Sequence, residues 1–136
     1  SSSNDVTYGK LYNWYAVNTS KLCPTGWHVP TDSDWTVLTD YLTANGHSGA
    51  EGNALKATSG WGSGNGTDDY GFLGLPGGYR YGRGSFSLVG SVGFWWSSSQ
   101  NHAYNAWCRY LSRGYDGVSR DYSDKKDGFS VRCLRD

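Results

Sequence analysis

Apolar positions change their spacing along this chain, and the change marks its plan. Residues 1–7 (SSSNDVT) hold a single apolar side chain and read as a linker ahead of one domain at 8–136. The segment 8–17 (YGKLYNWYAV) is dense in β-formers, with Leu11, Trp14 and Val17 between its rings, and predicts an opening strand. Two prolines and a glycine within 23–31 (CPTGWHVPT) fix a turn there rather than a helix. Thr31-Asp32-Ser33-Asp34 has the form of a capping box, with Asp in place of the usual Glu. Trp35, Leu38 and Leu42, with Tyr41 beside them, then recur on one helical face. Asn45-Gly46 supplies the stop, so the main helix is expected over 31–45. A second, shorter helix is expected over 50–57, with Ala54 and Leu55 turned inward.

From residue 59 the helical spacing disappears. Glycine-rich stretches at 60–66 and 75–85 alternate with short apolar or aromatic runs at 72–75, 86–89, 94–97, 106–111 and 129–134. Such runs have the length of strands joined by turns. One main helix and a short one, followed by small antiparallel sheets, make an α+β fold, with the main helix packed on the sheet through Trp35, Leu38 and Leu42. No fixed-period repeat is visible.

Composition narrows the function. The 136 residues carry 12 basic and 12 acidic side chains, so the net charge is zero. A polyphosphate or nucleic-acid binder needs a basic surplus to release counterions, and none is present. Aromatic residues make up 16% of the chain, which argues against disorder and for a core of large rings. No apolar run reaches the roughly 20 residues of a membrane helix, so no insertion into a bilayer is expected. The chain has no Met and reads as a processed or excised piece. Few lysines, one Glu and abundant Asn, Ser, Thr, Gly and Tyr suit an extracellular, loop-rich domain. Its three cysteines allow one pair plus a spare, or no pair.

Catalytic and metal chemistry finds no support, and no cofactor is expected. His28, His47 and His102 lie far apart and outside any zinc-binding spacing. His28, between Trp27 and Val29, reads as a hydrogen-bonded structural residue. Asp68-Asp69 reads as a solvated acidic pair in a loop rather than a calcium site. Cys108 has Arg neighbours but no His partner in sequence, and reads as a spare, partly exposed thiol. No nucleophile elbow, phosphate-cradling loop or acid–base carboxylate pair stands out.

Recognition is better supported. Residues 100–123 (QNHAYNAWCRYLSRGYDGVSRDYS) mix Tyr, Asn, Ser, Asp, Gly and Arg around a few apolar positions. Tyrosine gives rigid amphipathic contact area, and Ser, Gly and Asn give adaptable hydrogen bonds, as in antibody paratopes. An ordinary solvated hairpin has the same composition.

Five segments in order resemble one family: YGKLYNWYAV at 8–17, CPTGWHVPTDSDW at 23–35, LPGGYR at 75–80, GFWWSSS at 93–99 and GFSVRCLRD at 128–136. They are similar to the Fibrobacter succinogenes major paralogous domain of secreted and surface proteins in Bacteroidetes-type bacteria. The resemblance implies a C-type-lectin-like fold, with strands from the two chain ends near each other. It also implies a disulfide between Cys23 and Cys133, tying the start of the main helix to the last strand. Cys108 is then unpaired.

The stretch from 95 to 133 further resembles the variable region of proteins diversified by retroelements, which mutate adenines in AAC-type codons. That resemblance implies a ligand-binding display domain with a fixed frame of Trp95, Trp96, Ala106, Trp107, Arg109, Leu111, Val118, Arg120, Lys125 and 129–133. The contact positions would be Asn101, His102, Tyr104, Asn105, Cys108, Tyr110, Ser112, Tyr115, Asp116, Ser119, Asp121, Tyr122 and Ser123. Each can be encoded by two randomised bases followed by a pyrimidine. Tyr104, Tyr110, Tyr115 and Tyr122 would anchor a protein or glycan ligand on a cell surface, from a cell-surface or phage-borne position. The alternative is a fixed-sequence adhesin or carbohydrate-binding module that stacks sugar on Trp61, Tyr79, Tyr81 or Trp96. An enzyme of the formylglycine-generating type, to which this fold is loosely related, ranks third. The calcium-dependent sugar triplets of C-type lectins, Glu-Pro-Asn or Gln-Pro-Asp and Trp-Asn-Asp, do not occur.

Overall fold

The computed structural model describes residues 2–136. Its helices are α1 (Ser2–Tyr8), α2 (Trp14–Val17), α3 (Asp32–Leu42) and α4 (Glu51–Leu55), with a π-helical turn at Thr43–His47 and a 3-10 turn at Gly62–Gly64. Its strands are β1 (Trp27–His28), β2 (Tyr79–Arg80), β3 (Phe86–Ser87), β4 (Val92–His102), β5 (Asn105–Ser112), β6 (Ser119–Asp124) and β7 (Leu134–Arg135). This is the expected α+β plan. The main sheet is antiparallel in the order β4-β5-β6, with two small antiparallel pairs, β1-β7 and β2-β3.

The main helix forms as its capping box predicts. Thr31 Oγ1 accepts from Asp34 N at 3.0 Å, and Thr31 N donates back to Asp34 Oδ2 at 3.0 Å. It ends at Leu42 and passes into the π-helical turn, where Gly46, with a φ of 92°, takes the left-handed backbone that glycine adopts without strain. Five segments depart from expectation, one being the run 129–134, which pairs only through single bridges at Phe129 and Ser130 and through Leu134 in β7. Residues 8–17 are not a strand, because the Asn13 side chain accepts from Ala16 N and starts α2. Only Tyr12 keeps a bridge, to Phe129. Residues 2–7, expected as linker, are helical, and α1 runs on to Tyr8. The run 72–75 contributes one bridge through Gly74, since Leu73 has a φ of 53° and breaks the extended path. Strand β6 arises in SRDYSD, which has no apolar run to announce it.

Side chains alternate across a strand, so β4 and β5 serve two cores. Trp96, Ala106 and Cys108 face Trp14, Val17, Val29 and Phe129. Trp95 and Leu111 face Trp35, Leu42, Ala54, Leu55 and Trp61 on the other side. The main helix thus packs through Trp35 and Leu42, with Leu38 at the margin. The chain ends meet as expected. The Cys23–Cys133 disulfide closes a separation of 110 residues, and β1 pairs with β7. His28 bridges Asp34 (3.0 Å) and Asp136 (2.7 Å), and both contacts raise its pKa, Asp136 more than Asp34.

Candidate recognition surface

The cross-strand register assigns each expected contact residue to a face. Ala106, Cys108 and Tyr110 share one face of β5, and their β6 partners are Ser123, Asp121 and Ser119. Tyr110 packs at 5.0 Å on Phe94 of β4, and Phe94 packs at 5.2 Å on Tyr79. A row therefore runs from Tyr79 through Phe94 and Tyr110 to Ser119, with Asp121 exposed and Ser123 half-buried alongside. Tyr81 continues the row, its hydroxyl bonded to that of Tyr79. Burial and the neighbouring Tyr81 hold the Tyr79 phenol up at about 12. Asp127 ties the two parts together, accepting from Ser123 Oγ at 2.9 Å and from Gly82 N at 2.9 Å. Beside it lies an open groove of about 450 Å³ formed by 81–85 and 124–127.

Tyr122 faces the other way. Its ring meets Trp107 edge-on at 5.6 Å, and the Arg120 guanidinium lies 3.6 Å from the Trp107 centroid. Arg120 and Arg109 both grip Asp32 at the start of α3, at 2.7 and 2.6 Å. The hydrogen bond from Arg120, then Arg109, holds the Asp32 carboxyl below the usual range. Asn101, His102, Tyr104 and Asn105 cluster at the β4–β5 turn. Tyr115 and Asp116 lie in the β5–β6 loop, with Ser112 at the end of β5 that leads into it. Tyr104 and Tyr115 thus sit at opposite ends of β5, separated by roughly 25 Å of strand. The four tyrosines do not form one patch.

Cys108 leaves the set. It is fully buried among Trp14, Val17 and Phe129 rather than partly exposed. Burial above all, with Asp121 adding to it, pushes its thiol up to about 12. Trp61 and Trp96 are also fully buried, each indole N–H spent on a backbone carbonyl, so neither offers a stacking platform. Tyr81 is half-exposed, and Tyr79 less so.

Two residues outside the expected contact positions organise these loops, Lys56, which was not singled out, and Lys125, which was expected in the fixed frame. Lys56 is buried, yet its ammonium reaches out to donate to the Tyr115 carbonyl at 2.7 Å, 5.4 Å from the Trp61 ring. Burial lowers its pKa. Lys125 grips the loop at the other end of β5. Its ammonium donates to Ala103 O (3.0 Å) and Gln100 Oε1 (2.9 Å), 4.5 Å from the Trp14 ring. Its own N–H donates to Tyr104 O at 3.0 Å. At three of these four contacts the lysine grips the main chain of the loop. The side chains of Tyr104 (74% exposed) and Tyr115 (53% exposed) point to solvent and make no hydrogen bond among the described residues. Lysine at a buried position is rare unless paired, so the only sequence signal was Lys56 inside the apolar run Ala54-Leu55-Lys56-Ala57.

The family model of the Fibrobacter succinogenes major domain matches residues 1–135. The chain belongs to that family. No curated protein matches it, and no solved structure does. For this Fibrobacter-type domain, the five segments that carry the resemblance have distinct structural duties. GFWWSSS supplies the centre of β4 and both core-facing tryptophans, Trp95 and Trp96. CPTGWHVPTDSDW and GFSVRCLRD meet at the disulfide and at the β1-β7 pair. Among the described residues, no group of three or more His, Cys, Asp or Glu is arranged to hold a metal ion.

Proposed function

We propose that this domain displays a ligand-binding surface, with residues 101–123 supplying its exposed contact groups. The observation that supports the reading is the pair of buried lysines. Each fixes a loop largely through main-chain carbonyls, so the exposed rings of Tyr104 and Tyr115 contribute little to the fold and are free to differ. The contact set is Tyr110, Ser119, Asp121 and Ser123 on the sheet face, extended by Tyr104, Asn101, His102 and Asn105 at one end of β5. Ser112, Tyr115, Asp116 and Tyr122 form the second group. Tyrosine anchors of this kind bury much area while freezing few torsions. A C-type-lectin-like arrangement fits the joined chain ends and the Cys23–Cys133 bond. The disulfide favours an oxidising, extracellular setting, and no helix among the described residues is long and apolar enough to cross a membrane.

Diversification by a retroelement is the finer form of this proposal. Sequencing the gene segment for residues 95–136 from a natural population tests it. Substitutions are expected at exposed positions such as Tyr104, Tyr115, Asp121 and Tyr122. None is expected at Ala106, Cys108, Arg109, Leu111 or Lys125. A uniform segment, or substitutions spread equally over buried and exposed positions, contradicts diversification.

A fixed adhesin or carbohydrate-binding module is the second reading, and one observation favours it. Half-exposed Tyr81 borders the 450 Å³ groove, beside the Asp127 carboxylate and the Lys126 ammonium. Such a ring with flanking charges suits a sugar's apolar face and hydroxyls. A glycan array separates the readings, since this one requires one sugar class, lost in Tyr81→Ala. The enzyme reading is weakened by the cysteines, because two are bonded and the third is an inert buried thiol.

A further inference from the structure

A second concavity, of about 380 Å³, opens beside α3 and the final strand, and none of residues 101–123 lines it. Its walls are largely apolar, formed by Trp27, Trp35, Leu38 and Leu134. Trp27 and Leu134 are 45% and 42% exposed, which leaves unused apolar surface at the rim. Its size falls within the roughly 300–1,000 Å³ of small-molecule sites, which pair apolar walls with a few placed polar groups.

Two charged residues border it, and they differ. Asp34 is already satisfied, accepting from Thr31 N and meeting His28 Nε2 at 3.0 Å. Arg132 is not. Its guanidinium stacks 4.3 Å from the Phe72 ring centroid and donates through Nη1 to the Phe72 carbonyl. No carboxylate among the described residues lies within ion-pair distance of it. Asp68 acts on it only from farther away, and burial lowers its pKa. Its Nε and Nη2 make no hydrogen bond to the described residues, yet no side-chain nitrogen is buried without a partner. These donors therefore open on solvent.

We propose that this cavity binds a small carboxylate with an aromatic or aliphatic body. Arg132 takes the carboxylate through its free donors, the bidentate pairing for which a guanidinium is shaped. Trp27, Trp35, Leu38 and Leu134 hold the body. The site is separate from the displayed surface and does not depend on that reading.

The test is an NMR titration with 4-phenylbutyrate and with 4-phenylbutanol, which has the same body and no charge. The acid is expected to shift the indole signals of Trp27 and Trp35 and the methyl signals of Leu38. It should saturate them at about tenfold lower concentration than the alcohol, the scale of a hydrogen bond to a charged group. Arg132→Gln should bring the two probes together. Leu134→Trp, at an exposed rim position, should block both without touching Arg132. The proposal is overturned if the acid leaves these signals unmoved, if acid and alcohol bind alike to the native chain, or if the preference survives Arg132→Gln. Should Arg132→Gln lose its spectral dispersion, a Leu134→Trp chain that still binds the acid also overturns it.

Discussion

The two loops at the ends of β5 are held by the same device but lean on it unequally. At the β4–β5 turn, the strand ladder continues to His102 and Asn105, so Lys125 reinforces a hairpin that already has its own bonds. The β5–β6 loop has no such ladder. It is held from outside by α4, where Asn53 N donates to Asp116 O at 3.0 Å and Lys56 reaches Tyr115 O. Gly52 and Gly117 touch so closely that a Cβ on Gly52 would lie 2.2 Å from Gly117 O. A hairpin can hold its own shape. An irregular loop takes its shape from what it packs on, so its neighbours carry the constraint.

That difference breaks first at Gly52. Gly52→Ala forces backbone apart and is expected to cost about 3 kcal/mol, with fast hydrogen exchange confined to 113–118. A melt within a few tenths of a kcal/mol of native would show that α4 does not hold the loop. Lys56→Met comes next. It leaves the Tyr115 carbonyl to water and should cost about 2 kcal/mol, whereas Lys125→Met should cost about 1 kcal/mol. Chemical denaturation of the two variants measures the gap, and equal losses would erase the distinction between the loops.

Acid sharpens the comparison. The Asp32 pKa is lowered in the fold, so its contribution is present above its ordinary value of 3.8 and lost as pH falls through the folded value. The lysine ammoniums bond to carbonyl and amide oxygens rather than to carboxylates. Acidification should therefore loosen the α3 contact with Arg109 and Arg120 before either lysine-held loop, as hydrogen exchange at pH 3 would report. Asp32→Asn should remove that pH dependence. The smallest effect is reserved for Tyr104→Ser and Tyr115→Ser, each within about 0.5 kcal/mol of native in thermal melts.

Much of this framework was legible in the residues. The capping box at Thr31 and the spacing of Trp35, Leu38 and Leu42 specify α3, because both signals act within one or two turns. The core runs of β4 and β5 are apolar enough to declare themselves. The family resemblance paired Cys23 with Cys133. The rest depends on distant partners. α2 hid among β-forming rings, since one Asn13 cap decided it. β6 is an exposed edge strand, specified by β5 and not by its own pattern. Cys108 looked exposed because polar neighbours in sequence point to the opposite face. Lys125 was expected in the fixed frame through the resemblance alone, and Lys56 was not singled out, because what they serve, the carbonyls of Ala103 and Tyr115, lies 22 and 59 residues away.

The central claim is that the side chains of Tyr104, Tyr115, Asp116 and Tyr122 are displayed by the fold and not needed by it. The most direct measurement is the stability of one chain with Tyr104, Tyr115, Asp116 and Tyr122 all replaced by serine. The account predicts a cooperative melt within about 1 kcal/mol of the native chain, with loop exchange protection intact. A loss of about 3 kcal/mol or a non-cooperative melt would show that these side chains build the surface they were taken to decorate.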